Sequence, residues 1–70
     1  MKYLIVIEKA NNNYSAYLPD VPGCIATGKT IEEVKKNIAE ALAMHLHGLN
    51  EDGQKSPEPK AKADYIAISK

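Results

Sequence analysis

Arginine is absent from the 70 residues, and all nine basic side chains are lysines balanced by nine acids, for a formal net charge of zero. The forked donor that grips phosphate or guanine edges bidentately is therefore missing, and no nucleic-acid surface is advertised. Lys55, Lys60 and Lys62 cluster in sequence, which reads as a solvated loop. Cysteine occurs once, so there is no internal disulfide, and one Cys with two His is too few for a structural zinc site. A reducing, cytoplasmic setting fits that usage. No apolar run approaches the roughly 20 residues that span a bilayer, and "MKYLIVIEK" has too short an apolar core, closed by Glu8, for a signal peptide.

What remains is ordinary globular material, 44% hydrophobic and 26% charged. Seventy residues make one domain, 1–70, with no internal repeat. At that size apolar burial roughly offsets chain entropy of about 1.5 kcal/mol per ordered residue, so self-association or a partner is expected to help.

Along the chain, "KYLIVIE" (2–8) is a strand apolar on both faces, and "KANNN" is a turn in which Asn tolerates positive φ. "YSAYL" (14–18) returns as the second arm of a hairpin. In "PDVPG", Pro19 and Pro22 cannot donate to a ladder and Gly23 permits a bend, so the chain leaves the sheet before "CIATG" (24–28) re-enters as a third strand. "TIEE" reads as a capping box in which Thr30 accepts from the N–H near Glu33 and Glu33 reaches back to the Thr30 N–H. From there Ile31, Val34, Ile38, Leu42, His45 and Leu49 share one helical face, with Ala41 and Leu46 beside it, predicting a helix from 31 to about 49. Residues 50–62, with Gly53, Pro57 and Pro59, form an exposed connection, and "DYIAIS" (64–69) is a fourth strand. The fold class is α+β, of order β-β-β-α-β, with one mainly antiparallel sheet and a single helix on one face.

One helix covers one side of such a sheet. If the more aliphatic side meets the helix, Tyr3, Ile5, Ile7 and Tyr65 are left on the other, with Tyr17 as a possible neighbour. These residues predict a homo-oligomer, dimer or tetramer, built on sheet faces or edges, since a tyrosine ring buries while its hydroxyl keeps a polar partner.

No catalytic constellation emerges. Cys24 at a strand start is where a nucleophile could be displayed, but His45 lies on the core side of the helix and His47 nearly opposite, so both cannot serve one site. Cys24 is better read as a small buried apolar residue and His45 as a packed one. Glu8, Asp20, Asp64, Glu33 and Glu40 are scattered over strand ends, a loop and a wet helix face, which does not predict convergence on metal ions. "GCIATGKT" (23–30) is a literal match to G-x-x-x-x-G-K-T, but "CIAT" is better as a strand than as a loop around phosphates, and a nucleotide fold needs more chain. No catalytic residue, metal or cofactor is expected.

The run "YSAYLPDVPGCIATGKTIEEVKKNIAEAL", preceded by "YLIVIEK", resembles the HicB antitoxins of prokaryotic type II toxin-antitoxin pairs over residues 1 to about 69. The carrying features are the tyrosine-rich second strand, Pro-Asp-x-Pro-Gly-Cys, and Gly-x-Thr opening a helix. The resemblance implies a partly degraded RNase H-like fold without nuclease activity. It also implies a partner, a HicA-type mRNA-cleaving toxin whose active site such proteins cover. Tyr17, Asp20 and Pro22, in an exposed loop beside the sheet, are the toxin-binding candidates. Many relatives continue into a DNA-binding segment where this sequence ends at Lys70, so operator binding is not carried over. The alternatives are a self-associating structural domain without a toxin, and a residual nuclease or nucleotide-binding enzyme.

Overall fold

The computed structural model describes residues 1–70 as three strands, β1 (Val6–Lys9), β2 (Tyr14–Tyr17) and β3 (Ile25–Gly28), followed by one helix, α1 (Ile31–Glu51). The sheet is antiparallel in the order β1-β2-β3, with Val6 opposite Tyr17, Tyr17 opposite Ile25, and Ala16 flanked by Ile7 and Ala26. The predicted hairpin is closed by the Ala10 N–H donating to the Asn13 carbonyl at 2.8 Å.

β1 is shorter than its apolar run. Continuing its register backwards would set Leu4 against Pro19, which has no N–H to give, so pairing stops where the proline takes β2 out of the sheet. Two successive turns then redirect the chain, with Val21 N–H donating to Leu18 O at 3.1 Å and Cys24 N–H to Val21 O at 3.3 Å, and Gly23 supplies the one positive φ they need, 84°.

The cap of α1 forms as the Thr-x-x-Glu spacing requires, with a shift of one residue. Thr30 Oγ1 accepts from the Glu33 N–H at 3.0 Å, while Glu33 Oε1 accepts from the N–H of Lys29 at 2.8 Å instead of that of Thr30. At the other end Gly53, at φ 75°, donates to the Asn50 carbonyl and Gln54 to that of Leu49. This pair of bonds is a Schellman stop two residues beyond the expected end.

The core lies between helix and sheet and consists of Ala16, Leu18, Val21, Cys24, Val34 and Ile38. Of the helix's apolar stripe only Val34 and Ile38 are buried; Ala41, Leu42, His45, Leu46 and Leu49 are half-buried and Ile31 is exposed. Gly28 lets β3 pass close under the helix start, because a Cβ there would lie 2.6 Å from the Val34 nitrogen.

Two expectations are corrected. Residues 64–69 form no strand: Tyr65, Ile66 and Ile68 are 97, 87 and 74% exposed, and the observed order is β-β-β-α. Their route explains this, because the Asp20 carboxylate accepts the N–H groups of Lys60 and Ala61, both at 2.9 Å, and the Tyr3 hydroxyl donates to the Pro57 carbonyl, so the chain is held near the loop after β2 and then leaves the body. The sheet faces are also reversed. Tyr3, Ile5 and Ile7 pack against the helix-side core, because Ile7 sits beside buried Ala16 and alternation carries Ile5 and Tyr3 with it. An RNase H-like origin is not a feature that these three strands and one helix display.

Candidate functional site

With Ile7, Ala16 and Ala26 turned to the helix, the opposite face carries the row Val6, Tyr17, Ile25 and, beyond it, the row Glu8, Ser15, Thr27. The uncovered side of the sheet is therefore graded. Its apolar end, extended by Leu4 through alternation, lies next to the Leu18–Cys24 turns, where Tyr17 is 41% and Ile25 71% exposed. Its polar end lies at the Asn11–Asn13 hairpin. Isolated exposed hydrophobics are normal, but several in one row on a rigid sheet form a contact surface.

The three candidates Tyr17, Asp20 and Pro22 cluster in sequence but not in role. Tyr17 stands on the uncovered face and Pro22 is exposed on the turn, while half-buried Asp20 spends one carboxylate oxygen holding the backbone of Lys60 and Ala61. Tyr65, grouped in sequence reasoning with Tyr3, Ile5 and Ile7, is separated from them: those three line the core and Tyr65 projects into solvent. Ile25 and Val6 are the face residues that sequence reasoning missed. The signal was the buried Ala16, since its register partners show which parity of β1 and β3 points inward.

Cys24 is 4% exposed, and burial pushes its thiol above the ordinary value of 9.0 by penalising the thiolate. That is opposite to what activates a nucleophile. His47 faces Glu51 at 3.3 Å on the solvent side, one turn further along the same helix. No three of the His, Cys, Asp and Glu side chains gather closely enough to hold a metal ion. The residues matching the phosphate-loop pattern are paired strand from Ile25 to Gly28 and a helix cap at Thr30, an extended path whose successive amides point alternately to opposite sides and do not converge on one phosphate. The concavity beside them is polar and lined by Asn11, Asn12, Asn13, Lys29, Glu33 and Asn37, with Asn37 already donating to the Thr27 carbonyl at 2.8 Å. No helix is long and apolar enough to cross a membrane.

A small α+β domain with an uncovered sheet face, a stiff double turn beside it and an extended exposed segment has the surfaces of a binding module. The chain belongs to the HicB-like antitoxins of bacterial toxin-antitoxin systems, whose family model matches residues 3–69. Among solved structures it is similar to a chain of the "HicA3 and HicB3 toxin-antitoxin complex", at 35% identity and a TM-score of 0.71 over 86% of this chain and 70% of that one. An uncharacterised 14.9 kDa protein of Haemophilus phage HP1 is 41% identical over 66 residues, 94% of this chain. A UPF0150 protein of Thermoplasma acidophilum is 35% identical over 63 residues, 89% of this chain and 91% of its own length. The chain spans half the length of the phage relative, and in a Helicobacter pylori UPF0150 protein the match, 45% identical over 47 residues, covers 67% of this chain and 65% of that protein.

Proposed function

We propose that this domain neutralises a HicA-type, mRNA-cleaving toxin by binding over its active site. The observation that carries the reading is the likeness, at 35% identity and TM-score 0.71, to a chain solved in a HicA3 and HicB3 complex. Cover of this kind needs a preformed surface and no turnover. The row Val6, Tyr17, Ile25 supplies that surface, with Pro22 beside it on a turn stiffened by two prolines and the Leu18–Val21 and Val21–Cys24 hydrogen bonds. In this reading Tyr17 and Pro22 touch the toxin, while Asp20 acts indirectly by fixing residues 60–61 at the margin of that surface. A rigid apolar centre with a polar margin, here Glu8, Ser15 and Thr27, is the usual anatomy of such an interface.

The test is co-expression of the chain with a HicA-type toxin, taken from a neighbouring gene where one encodes it, followed by a cleavage assay on RNA with the purified components. Rescue of growth and loss of cleavage at one-to-one stoichiometry are expected. Cleavage that continues at saturating chain, or failure of the two to co-purify, would overturn the reading.

A further inference from the structure

The segment Lys62–Lys70 has the composition of a strand but no ladder. It alternates Tyr65 and Ala67 with Ile66 and Ile68, follows two hydrogen bonds that fix its starting point at Asp20, and holds its three large apolar side chains almost wholly in water. The sheet in turn has an unpaired edge at β1, where the apolar run Tyr3–Ile7 extends beyond the paired residues. An open apolar edge invites another strand.

We propose that residues 64–70 add to the β1 edge of a second copy of this chain, parallel to it, and that two copies exchange these segments reciprocally. Three features carry this. Lengths agree: six or seven extended residues span about 20–23 Å, the same as residues 2–8. Charge sets the direction. Run parallel, Asp64 falls beside Lys2 and Lys70 beside Glu8; run antiparallel over the same stretch, Asp64 would meet Glu8 and Lys70 would meet Lys2. The third feature decides between a copy's own edge and its partner's. Beyond the Asp20 clamp the segment does not lie on its own β1, since Tyr65, Ile66 and Ile68 stand almost wholly exposed, and "AKAD" (61–64) contains neither Gly nor Pro nor Asn to turn the chain back, while Pro57 and Pro59 stiffen the approach. The segment runs on outward, contributing to a molecule 50 Å long and 26 by 17 Å across. Because donor segment and acceptor edge belong to the same chain, a two-fold exchange closes on itself and leaves neither β1 edge bare.

Sedimentation equilibrium over a dilution series of the full chain tests the exchange. A dimer is expected, and in Ile66→Asp/Ile68→Asp its dissociation constant should rise by about a hundredfold, since each copy then sets two carboxylates beside Leu4 and Val6 of the second copy in place of two isoleucines. A full-length chain that is monomeric throughout, or a double variant that dimerises as tightly as the parent, would overturn the proposal. Leu4→Cys/Ile66→Cys in a Cys24→Ala background provides the second readout, without requiring any disruption of the interface. Oxidation should give a disulfide-linked species of twice the chain mass on a non-reducing gel, whereas a disulfide closed within one chain, or thiols that stay free, would refute exchange.

Discussion

Gly28 is the position at which a single added carbon meets the most resistance. Its missing Cβ leaves room for the backbone of Val34, whose nitrogen and Cα would lie 2.6 and 2.9 Å from the new atom, and neither is a movable side-chain end. Gly28→Ala should therefore push α1 off β3 and cost about 1–3 kcal/mol, measured as a drop in urea midpoint. An unchanged midpoint would mean that the helix start yields freely. Thr30→Ala removes the acceptor for the Glu33 N–H and should cost about 1 kcal/mol, with Thr30→Ser restoring most of it. Cys24 gives a pH prediction. Its thiol titrates higher in the folded than in the unfolded chain, so as pH rises the unfolded chain sheds the proton first. Stability is then fully present below the unfolded value and declines as pH climbs through the raised folded one. In Cys24→Ala the decline above the ordinary 9.0 should be shallower in pH-dependent denaturant titrations, and identical slopes would show that other groups cause it. Residue-scale features such as the cap and the Pro-Gly turns were legible in the sequence because each needs only neighbours in the chain. The close approach at Gly28 was not, since it joins residues through the packing of two elements.

At the scale of elements, periodicity located all three observed strands and the helix, with ends displaced by a few residues. The displacements have causes: Pro19 cuts off the pairing of β1, and Gly53 sets a helix stop beyond the last stripe residue. The face of β1 could not be settled by alternation, because Tyr3, Ile5, Ile7 and Leu4, Val6 are apolar sets of similar size. It took buried Ala16, a small residue under the helix, to decide. Strand-like composition at 64–69 was legible, but pairing depends on where the chain is led, and a side chain 40 residues earlier leads it. Asp20→Ala should release that hold. The amides of Lys60 and Ala61 would lose their acceptor, and their hydrogen exchange should accelerate by an order of magnitude or so while the amides of β2 and α1 keep their protection. Uniform acceleration throughout the chain would instead show Asp20 supporting the whole fold.

For the whole molecule, the two unsatisfied surfaces divide the work. The β1 edge and the 64–70 segment are complementary to each other, whereas the apolar row Val6, Tyr17, Ile25 lies on the sheet face, is lengthened by Ile68 of the second copy when the edge is filled, and keeps its outward side free. Self-association through the edge and toxin contact through the face can then coexist, and variants should separate them. Tyr17→Asp/Ile25→Asp places two like charges directly opposite each other on β2 and β3, so it should lower stability by about 1–2 kcal/mol, read from a urea midpoint, and leave the sedimentation behaviour of the folded free chain unaltered. Against a HicA-type toxin the same change buries two unpaired carboxylates in the contact and should weaken inhibition by about two orders of magnitude or more. Ser15→Ala and Thr27→Ala, at the polar end of the same face, serve as the comparison and should weaken inhibition less than about fivefold, as margin positions do. Inhibition constants from RNA cleavage titrations decide it: equal losses at both ends would spread the contact over the entire sheet, and no loss at Tyr17 and Ile25 would move it off this face altogether.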